Sequence, residues 1–332
     1  MTSTRPRFSL RLNNDLTLDQ YREIARMAEA AGVERLWISH DLYGASAPAL
    51  LGALAEATDR LGLGIGIMNP YTVHPAELAM AAATLAEMSG GRFALGLGAG
   101  AEGFLRTAGI RRTRPLATTR QALLAVRSLL RGDTPSPGGS ESAFGWEGEP
   151  RLWRSPGEVP IYLAATGPRM RALAGELADG VLALALPPET YPDIVSQVGA
   201  GVTGSDRECG PDVPLCVWVS VAPDLERARE ALAPKLALYG REMSPDLLDR
   251  VGLTPGDFGP LERAWRSGGT NLGESLTPAM ERLAVVGDPD RVAGRCSELL
   301  VTGVDHLSFG PPFGTDPVAG VGLLLDEVLP RL

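Results

Sequence analysis

Apolar positions along the chain follow two alternating patterns. Short apolar runs, such as Leu63–Ile67 and Phe93–Gly98, predict strands that are buried on both faces, as in a parallel sheet. Longer segments between them carry apolar residues at helical spacing. The first of these begins after Thr17, a typical N-cap residue, and ends at Gly32. This alternation predicts repeated βα units around one parallel sheet.

The same patterns set the bounds of the predicted elements. The predicted strands are Arg7–Leu12, Arg35–Ser39, Leu63–Ile67, Phe93–Gly98, Ile161–Ala164, Gly180–Ala183, Leu215–Val221, Val285-Val286 and Asp305–Phe309. The predicted helices run from Thr17 to Ala31 and over Ala47–Asp59, Pro75–Met88, Thr118–Arg131, Asp290–Leu300 and Val318–Leu329, and others begin at Pro168 and near Tyr191 and Leu225. A chain of 332 residues with this pattern favours an α/β fold of the (β/α)8 TIM-barrel type over an open, doubly wound sheet.

Two segments rich in Gly, Pro and polar residues interrupt the rhythm, Gly132–Glu158 and Gly240–Gly273. They are long enough to form lids or interface elements rather than simple turns. No shift in composition marks a second domain. We therefore expect a single domain over residues 1–332 with these two excursions inserted in it.

Composition narrows the functional classes. A net charge of −9 argues against nucleic acid and anionic membrane surfaces as partners. The chain has no apolar run of about 18 residues and no signal-peptide core, so we expect a cytoplasmic protein. We expect no metal site, because histidines are few and the cysteines lack metal-ligand spacing. The cysteines, which we expect to be reduced, are Cys209, Cys216 and Cys296.

Glycines interrupt two predicted strands near their ends. Gly66 and Ile67 precede the turn at Asn69, and Gly98 and Gly100 occupy the end of the next strand and its loop. Glycine weakens a strand and often stands where a bulge or a ligand needs room. We predict that a planar cofactor lies against these five residues. Tight packing of two strand-to-loop corners is the alternative.

A phosphate site is predicted between the strand that ends at Ala164 and the helix after it. Backbone N–H groups of Ala165, Thr166 and Gly167 would face an anion there, together with the positive end of the helix dipole. Thr166 offers a hydroxyl group, and Arg169 offers a charge-assisted hydrogen bond. A capped helix with a solvated arginine is the alternative.

Four stretches of the chain carry a family pattern. They are Trp37–Asp41, Asn69–Pro75 with Leu85–Arg92, Ile161–Arg169 with Leu173–Gly180, and Phe309–Gly314. Together they resemble the bacterial-luciferase-like superfamily of flavin and deazaflavin oxidoreductases, and in particular its methylene-tetrahydromethanopterin reductase branch. The resemblance covers most of the chain and implies a barrel that holds its cofactor at the C-terminal face. For members that use a deazaflavin it also implies a cis peptide behind the ring, which falls at Gly66–Ile67 here.

The resemblance implies an oxidoreductase that transfers a hydride between bound coenzyme F-420, an 8-hydroxy-5-deazaflavin, and a small organic substrate. An FMN-dependent luciferase-like monooxygenase is the alternative, because the predicted phosphate site serves either cofactor. A second alternative is a barrel that binds a cofactor without catalysis. As partners we expect a small-molecule substrate and a second copy of the chain in a homodimer.

His40 and Asp41 are the candidate catalytic residues. They follow the second strand, where family members commonly carry Asp-His in the opposite order. His40 is the candidate acid or base, because an imidazole transfers protons near neutral pH with little tuning. Asp41 would orient His40 or accept a hydrogen bond from the cofactor ring. A structural role for His40, as a donor that anchors its loop, is the alternative.

Arg11 and Glu102 are the candidate substrate-binding residues. The reductase branch carries a proton-donating glutamate where this chain has Arg11. The glucose-6-phosphate dehydrogenase branch carries a catalytic glutamate where it has Ala101, next to Glu102. Strand alternation places Arg11 on the inner face of a barrel, where a guanidinium needs an anionic partner: Asp41, Glu102 or a substrate group. We expect Arg11 to bind an acidic or strongly polar substrate group; a structural ion pair is the alternative.

Overall fold

The computed structural model describes residues 6–137, 142–205, 207 and 209–332. Strands and helices alternate along this part of the chain, and each strand begins within one residue of its predicted start. The strands are β1 (Arg7–Leu12), β2 (Arg35–Ile38), β3 (Gly62–Met68), β4 (Phe93–Leu97), β5 (Ile161–Ala164), β6 (Gly180–Leu182), β7 (Leu215–Val221), β8 (Val285–Gly287) and β9 (His306–Phe313). The last strand, β9, runs past its predicted end at Phe309.

The helices flank this sheet, and none in the described ranges is long and apolar enough to cross a membrane. They are α1 (Leu18–Ala30), α2 (Ala47–Ala55), α3 (Pro75–Met88), α4 (Glu102–Thr107), α5 (Pro115–Arg131), α6 (Pro168–Leu177), α7 (Tyr191–Thr203), α8 (Leu225–Tyr239), α9 (Pro245–Asp249), α10 (Gly259–Arg266), α11 (Pro278–Glu281), α12 (Pro289–Val301) and α13 (Pro317–Leu323). A π-helix, Leu324–Val328, continues α13. The excursion Gly240–Gly273 contains α9 and α10, whereas residues 132–137 and 142–158 of the other excursion form no helix or strand.

Helix starts follow local capping chemistry. The Thr17 hydroxyl accepts the N–H of Gln20, and the Gln20 side chain accepts the Thr17 N–H, which completes a capping box at α1. His74 caps α3, because its Nδ1 accepts the N–H of Ala76 over 3.2 Å. Helix α5 begins at Pro115, earlier than predicted, and proline is favoured at a first helical position.

All strand pairs are parallel, and the sheet runs in the order β6-β5-β4-β3-β2-β1-β9-β7-β8. Two isolated parallel bridges, Gly180–Asp212 and Leu184–Cys216, also connect the segment of β6 with the segment of β7. The curled sheet is TIM-barrel-like. The described ranges hold the nine strands predicted from the sequence, one more than a (β/α)8 barrel has, because the short β8 pairs with the C-terminal half of β7 while β9 pairs with both β7 and β1.

Side chains of β1 alternate between two environments. Leu10 and Leu12 are buried in the main core between sheet and helices. Ser9 and Arg11 point to the other face, where Arg11 contacts Ser308 of β9. A second apolar cluster, built largely by α8, α10 and the segments around them, includes Trp218 of β7. Helix α8 therefore packs near the C-terminal half of β7.

Candidate active site

The carboxyl ends of β1, β2, β3 and β4 lie side by side, so the loops that follow them meet at one edge of the sheet. We call this edge the mouth, formed by residues 11–15, 39–47, 66–72 and 98–102. It carries most of the residues that the sequence analysis selected. These are Arg11, His40, Asp41, Gly66, Ile67, Asn69, Gly98, Gly100 and Glu102.

The backbone of β3 reaches the mouth at Gly66 and Ile67. These two residues are partly exposed, whereas the rest of the strand is buried. The peptide bond between them is cis, as predicted, and the pairing register with β4 shifts between Ile65 and Met68. Accessible backbone on an otherwise buried strand offers a flat ligand a surface to lie against.

The glycines of β3 and β4 serve two purposes. A Cβ on Gly64 would lie 2.3 Å from Cε3 of the buried Trp37, and one on Gly96 would lie 2.1 Å from the carbonyl oxygen of Ile65. These two glycines are required for packing, as the alternative explanation held. At Gly66 a Cβ would meet no atom nearer than 3.5 Å. Gly66 therefore leaves room that packing alone does not demand.

Asn69 is buried and organises the loop after β3. Its Oδ1 accepts the N–H groups of Tyr71 and Thr72, each over 3.1 Å. Gly100 has a φ of +69° and lies against this side chain, since a Cβ there would be 3.2 Å from Cγ of Asn69. The Asn69 side-chain oxygen thus fixes the turn after β3, next to Gly100 in the loop that follows β4.

His40 is half-buried and fixed by the start of α2. Its Nδ1 accepts the N–H of Ala47 over 3.2 Å. An accepting Nδ1 places the proton of the neutral imidazole on Nε2, which has no hydrogen-bond partner within the described ranges. Burial lowers the pKa of His40, and the charge of Asp41 opposes this shift. Near neutral pH the imidazole is therefore uncharged and presents an Nε2–H donor.

Asp41 does not orient His40. Its Oδ2 accepts a hydrogen bond from the hydroxyl of Ser39 over 3.0 Å. No hydrogen bond joins the Asp41 and His40 side chains in the parts of the chain described above. The orienting group is the Ala47 N–H instead, so this part of the hypothesis is wrong. The Asp41 carboxylate remains exposed at the mouth.

Asn14 joins the loops after β1 and β2, and the sequence analysis did not select it. Its Nδ2 donates to the carbonyl oxygens of Asp41, over 2.9 Å, and Ala45, over 2.8 Å. Its Oδ1 accepts the hydroxyl of Ser39 over 3.0 Å. Gly44 leaves space for this amide, because a Cβ there would lie 2.4 Å from Nδ2 of Asn14. The signal in the sequence that could have identified Asn14 is its position as a polar residue just after the alternating strand β1.

Arg11 lies on the inner face of β1, as predicted. Its Nε donates to Oγ of Ser308 over 3.2 Å, and its Nη2 donates to the carbonyl oxygens of Val217, over 2.7 Å, and Ser308, over 3.2 Å. The guanidinium packs on Gly310, where a Cβ would lie 2.6 Å from Nη2. Burial lowers the pKa of Arg11.

Neither carboxylate expected to pair with Arg11 contacts it. Glu102 is exposed at the start of α4 and pairs with Arg112 over 3.2 Å. Arg112 also donates to the carbonyl oxygen of Gly100 over 2.8 Å, so it ties α4 to the end of β4. Asp41 bonds within its own loop. The expected ion pair with either residue is therefore wrong, and of the three expected anions only a substrate group is left.

Lys235 is a second cation on this side of the sheet, and the sequence analysis did not select it. Helix α8 places its Nζ 5.3 Å from the ring centroids of both Trp218 and Tyr239. Burial lowers the pKa of Lys235 to about 8, and the charge of Arg11 contributes to this shift. Within the described ranges Lys235 forms no hydrogen bond or ion pair. No local pattern signals this placement, because it depends on how α8 packs.

The predicted phosphate site differs from expectation at one residue. The N–H of Ala165 donates to the carbonyl oxygen of Leu182 over 3.3 Å, so it is not available to an anion. The N–H groups of Thr166 and Gly167 have no backbone acceptor within the described ranges and directly precede α6. The predicted anion site therefore has two available backbone N–H groups, those of Thr166 and Gly167, instead of three.

Arg169, in the first turn of α6, is exposed. It lines a cavity of about 430 Å³ together with Arg114 and Arg120. Arg120 also pairs with Glu176. The concentration of guanidinium groups beside the start of α6 gives this corner a positive charge that suits a phosphate.

A buried charge network lies at the opposite, amino end of the sheet. The Asp212 carboxylate contacts Nη2 of Arg7 over 2.6 Å and Nδ1 of His306 over 3.0 Å, and it accepts the Tyr162 hydroxyl over 2.9 Å. Ligand atoms of Glu34, Asp212 and His306 lie within 4.8 Å of one another. Asp212 is already bonded to three partners, however, so we assign the network, including His306, to structure rather than to metal binding.

A cavity of about 910 Å³ opens beside the amino end of β4, between α3 and residues 151–159. Phe93, the first residue of β4, lines it together with Met80 and the fully exposed Trp153. Sites in barrel folds form at the carboxyl ends of the strands. We therefore place the candidate active site at the mouth and not in this cavity.

The arrangement at the mouth can be compared with known proteins. A family model described as luciferase-like monooxygenase matches residues 1–306. The chain belongs to this luciferase-like family. The resemblance to this family identified in the sequence is thereby confirmed, and the match covers most of the 332 residues.

Individual members of the luciferase-like family are similar over their full length. The 5,10-methylenetetrahydromethanopterin reductase of Methanolobus tindarius is 33% identical over 310 residues, which cover 92% of this chain and 94% of that protein. The F-420-dependent glucose-6-phosphate dehydrogenase of Beutenbergia cavernae is 29% identical, with 92% and 91% covered. The structure of the coenzyme F-420-dependent tetrahydromethanopterin reductase from Methanopyrus kandleri superimposes with a TM-score of 0.86, at 26% identity and 99% coverage of each chain.

Proposed function

We propose that this protein is an oxidoreductase that transfers a hydride between bound coenzyme F-420 and a small organic substrate. Full-length similarity to relatives named for this coenzyme supports the proposal. The observation in the structure that carries it is the accessible Gly66–Ile67 backbone on an otherwise buried strand. When bound, the cofactor supplies the hydride chemistry, and the protein supplies position and shields the reaction from water.

The residues present at the mouth fit such a group. Gly66, Ile67, Gly98 and Gly100 would lie along the ring, in a wall that Asn69 shapes through its turn. Thr166, Gly167 and Arg169 would hold the phosphate. The bridges between the segments of β6 and β7 support closure of the sheet into a full TIM-type barrel, with its ring of loops around the cofactor.

His40 stays the candidate acid or base of the reaction. Its Nε2 is the atom that would exchange or share a proton, because Nδ1 is occupied by the Ala47 N–H. Asp41 would accept a hydrogen bond from the ring or the substrate through its exposed carboxylate. The homodimer, the single domain over residues 1–332 and the cytoplasmic location stay predictions from the sequence.

Equilibrium titration of the apoprotein with F-420 and with FMN tests the cofactor. We expect F-420 to bind at least about tenfold more tightly, equivalent to about 1.4 kcal/mol. Reduced or oxidised substrates are then screened for a change in deazaflavin absorbance. Tighter binding of FMN with consumption of oxygen would make the protein a monooxygenase instead. A bound chromophore that no substrate changes would favour a cofactor-binding barrel without catalysis.

A further inference from the structure

Two cationic side chains lie on either side of Trp218, and neither has a counter-ion within the described ranges: Arg11 packs on Gly310, the strand partner of Trp218, and Nζ of Lys235 lies over the Trp218 ring. In the described part of the chain Arg11 donates only to a hydroxyl and to backbone carbonyl groups. Lys235 contacts the faces of two aromatic rings and, within the described ranges, no carboxylate. Burying like charges together is unfavourable unless an anion joins them. The pair therefore has the composition of an anion site that the protein itself leaves unfilled.

The guanidinium of Arg11 is held in one orientation. Three hydrogen bonds from Nε and Nη2 fix its plane against β7 and β9, and Gly310 provides the surface on which it rests. Its Nη1 has no hydrogen-bond partner within the described ranges. A guanidinium fixed on one side and unpaired on the other offers a preorganised donor to a ligand.

Lys235 lies on α8, which packs against β7, β8 and β9. The charges that act on its ammonium group are those of Arg11, which lowers its pKa, and of Asp15 and Asp41, which raise it. Both aspartates are exposed and act at a distance, without a contact to Nζ. Trp218 and Tyr239 lie beside Nζ, with their ring centroids 5.9 Å apart, and form an apolar wall.

We propose that Arg11 and Lys235 together bind a carboxylate group of the substrate. This inference rests on the proposed hydride-transfer function, and it narrows the substrate of that function to organic acids. A carboxylate presents two oxygens, one for Nη1 of Arg11 and one for Nζ of Lys235. The remainder of the substrate would contact Trp218 and Tyr239.

Titration calorimetry on the F-420-loaded protein, with benzoate and benzamide as matched probes, tests the proposal without requiring turnover. We expect benzoate to bind at least tenfold more tightly than its neutral counterpart. Lys235→Met and Arg11→Met should each weaken benzoate binding by tenfold or more while leaving benzamide unchanged, and Lys235→Arg should retain most of the affinity. Benzoate binding should also weaken as the pH rises above about 8, where Lys235 loses its proton.

The control is Arg227→Met, which removes an exposed cation from the same helix and should leave both affinities unchanged. Affinity for F-420, measured on the same variants, tests the proposed function separately and should not change. Equal binding of the two probes, or benzoate binding that survives both Met variants, would overturn the proposal. Tighter binding of inorganic phosphate than of benzoate would overturn the choice of a carboxylate. Lys235→Gln replaces Lys235→Met if the latter does not fold.

Discussion

The side-chain amide of Asn14 donates to the carbonyl oxygen of Asp41 over 2.9 Å, and this bond connects the loop after β1 to the loop that carries both candidate catalytic residues. The same amide also donates to Ala45, and its oxygen accepts from Ser39. Asn14 is 4% exposed, so none of these bonds can be replaced by bulk water without opening the loop. The position of His40 and Asp41 therefore depends on a residue outside their own segment.

Replacing Asn14 with Ala should lower the free energy of unfolding by about 2 kcal/mol, because buried polar groups of the partner loop lose their hydrogen bonds. Chemical denaturation measures this change. Asn13→Ala is the matched control, since among the residues that the structure describes the Asn13 side-chain amide bonds only to the exposed Asp15, over 3.3 Å. The control should change stability by no more than about 0.5 kcal/mol. Equal effects of the two substitutions would contradict the role assigned to Asn14.

His40→Ala should lower kcat by about 10²–10⁴-fold if the Nε2 of His40 exchanges a proton in the reaction. His40→Gln distinguishes this role from simple donation, because an amide donates a hydrogen bond but does not exchange a proton at neutral pH. We expect the Gln variant to be impaired as strongly as the Ala variant. Steady-state kinetics with the substrate found by screening supplies the measurement.

A Gln variant of His40 with nearly full activity would show that the residue only positions its ligand. His74→Gln is the control histidine, because His74 caps α3 through its Nδ1 and plays no part in the proposed chemistry. The kcat of the His74→Gln variant should stay within about twofold of the parent value, because a retained or weakened helix cap changes the stability of the protein only slightly.

The strands could be predicted from the sequence because their residues are buried on both faces. Runs such as Phe93–Leu97 and Leu215–Val221 leave no other place for so many apolar side chains, and their starts were predicted to within a residue. The order in which the strands pair was not predicted from the sequence. The pairing of β9 with both β1 and β7, which leaves β8 at the end of the sheet order, depends on contacts between distant segments.

The candidate site was predictable where its chemistry is local. The backbone N–H groups before α6 follow from residues adjacent in sequence, whereas the cis bond at Gly66–Ile67 was expected from the family resemblance. The placement of Lys235 was not predictable, because it requires α8 to turn one lysine toward Trp218 of β7. Ala165 was assigned wrongly for the same reason, since its N–H is taken by Leu182 of a neighbouring strand.

Arg169→Ala should weaken F-420 binding by about 1.5–3 kcal/mol, the range for a hydrogen bond to a charged group. The loss should be smaller at high salt, because the residue is exposed and ions screen its charge. Fluorescence titration at low and high salt gives both values. Arg22→Ala is the control, as Arg22 lies on α1 and pairs with Asp19. An unchanged affinity at low salt would move the phosphate away from α6.

Asp212 should make the protein sensitive to acid. Burial by itself raises the pKa of a carboxyl group, but the hydrogen bond and charge of His306, together with Arg7, lower the pKa of Asp212 from 3.8 to about 2. A carboxyl group whose pKa is lower in the folded state stabilises the fold above its unfolded pKa. This stabilisation, of about 2 kcal/mol, is lost as the pH falls from 3.8 towards 2.

Asp212→Asn isolates this contribution, because the amide keeps the shape of the carboxyl group and removes its charge. The variant should be less stable than the parent at pH 7 by about 2 kcal/mol or more, since Arg7 and His306 lose their anion. The difference should shrink as the pH is lowered from 3.8 towards 2, because Asp212 takes up its proton in the unfolded parent before it does so in the folded parent. Asp305→Asn is the matched control, as Asp305 faces the same Arg7 at 3.9 Å but is largely exposed. Denaturant titrations at pH 7, pH 5 and pH 3 compare the three proteins; a difference between Asp212→Asn and the parent that stays constant with pH would show that Asp212 acts through packing alone.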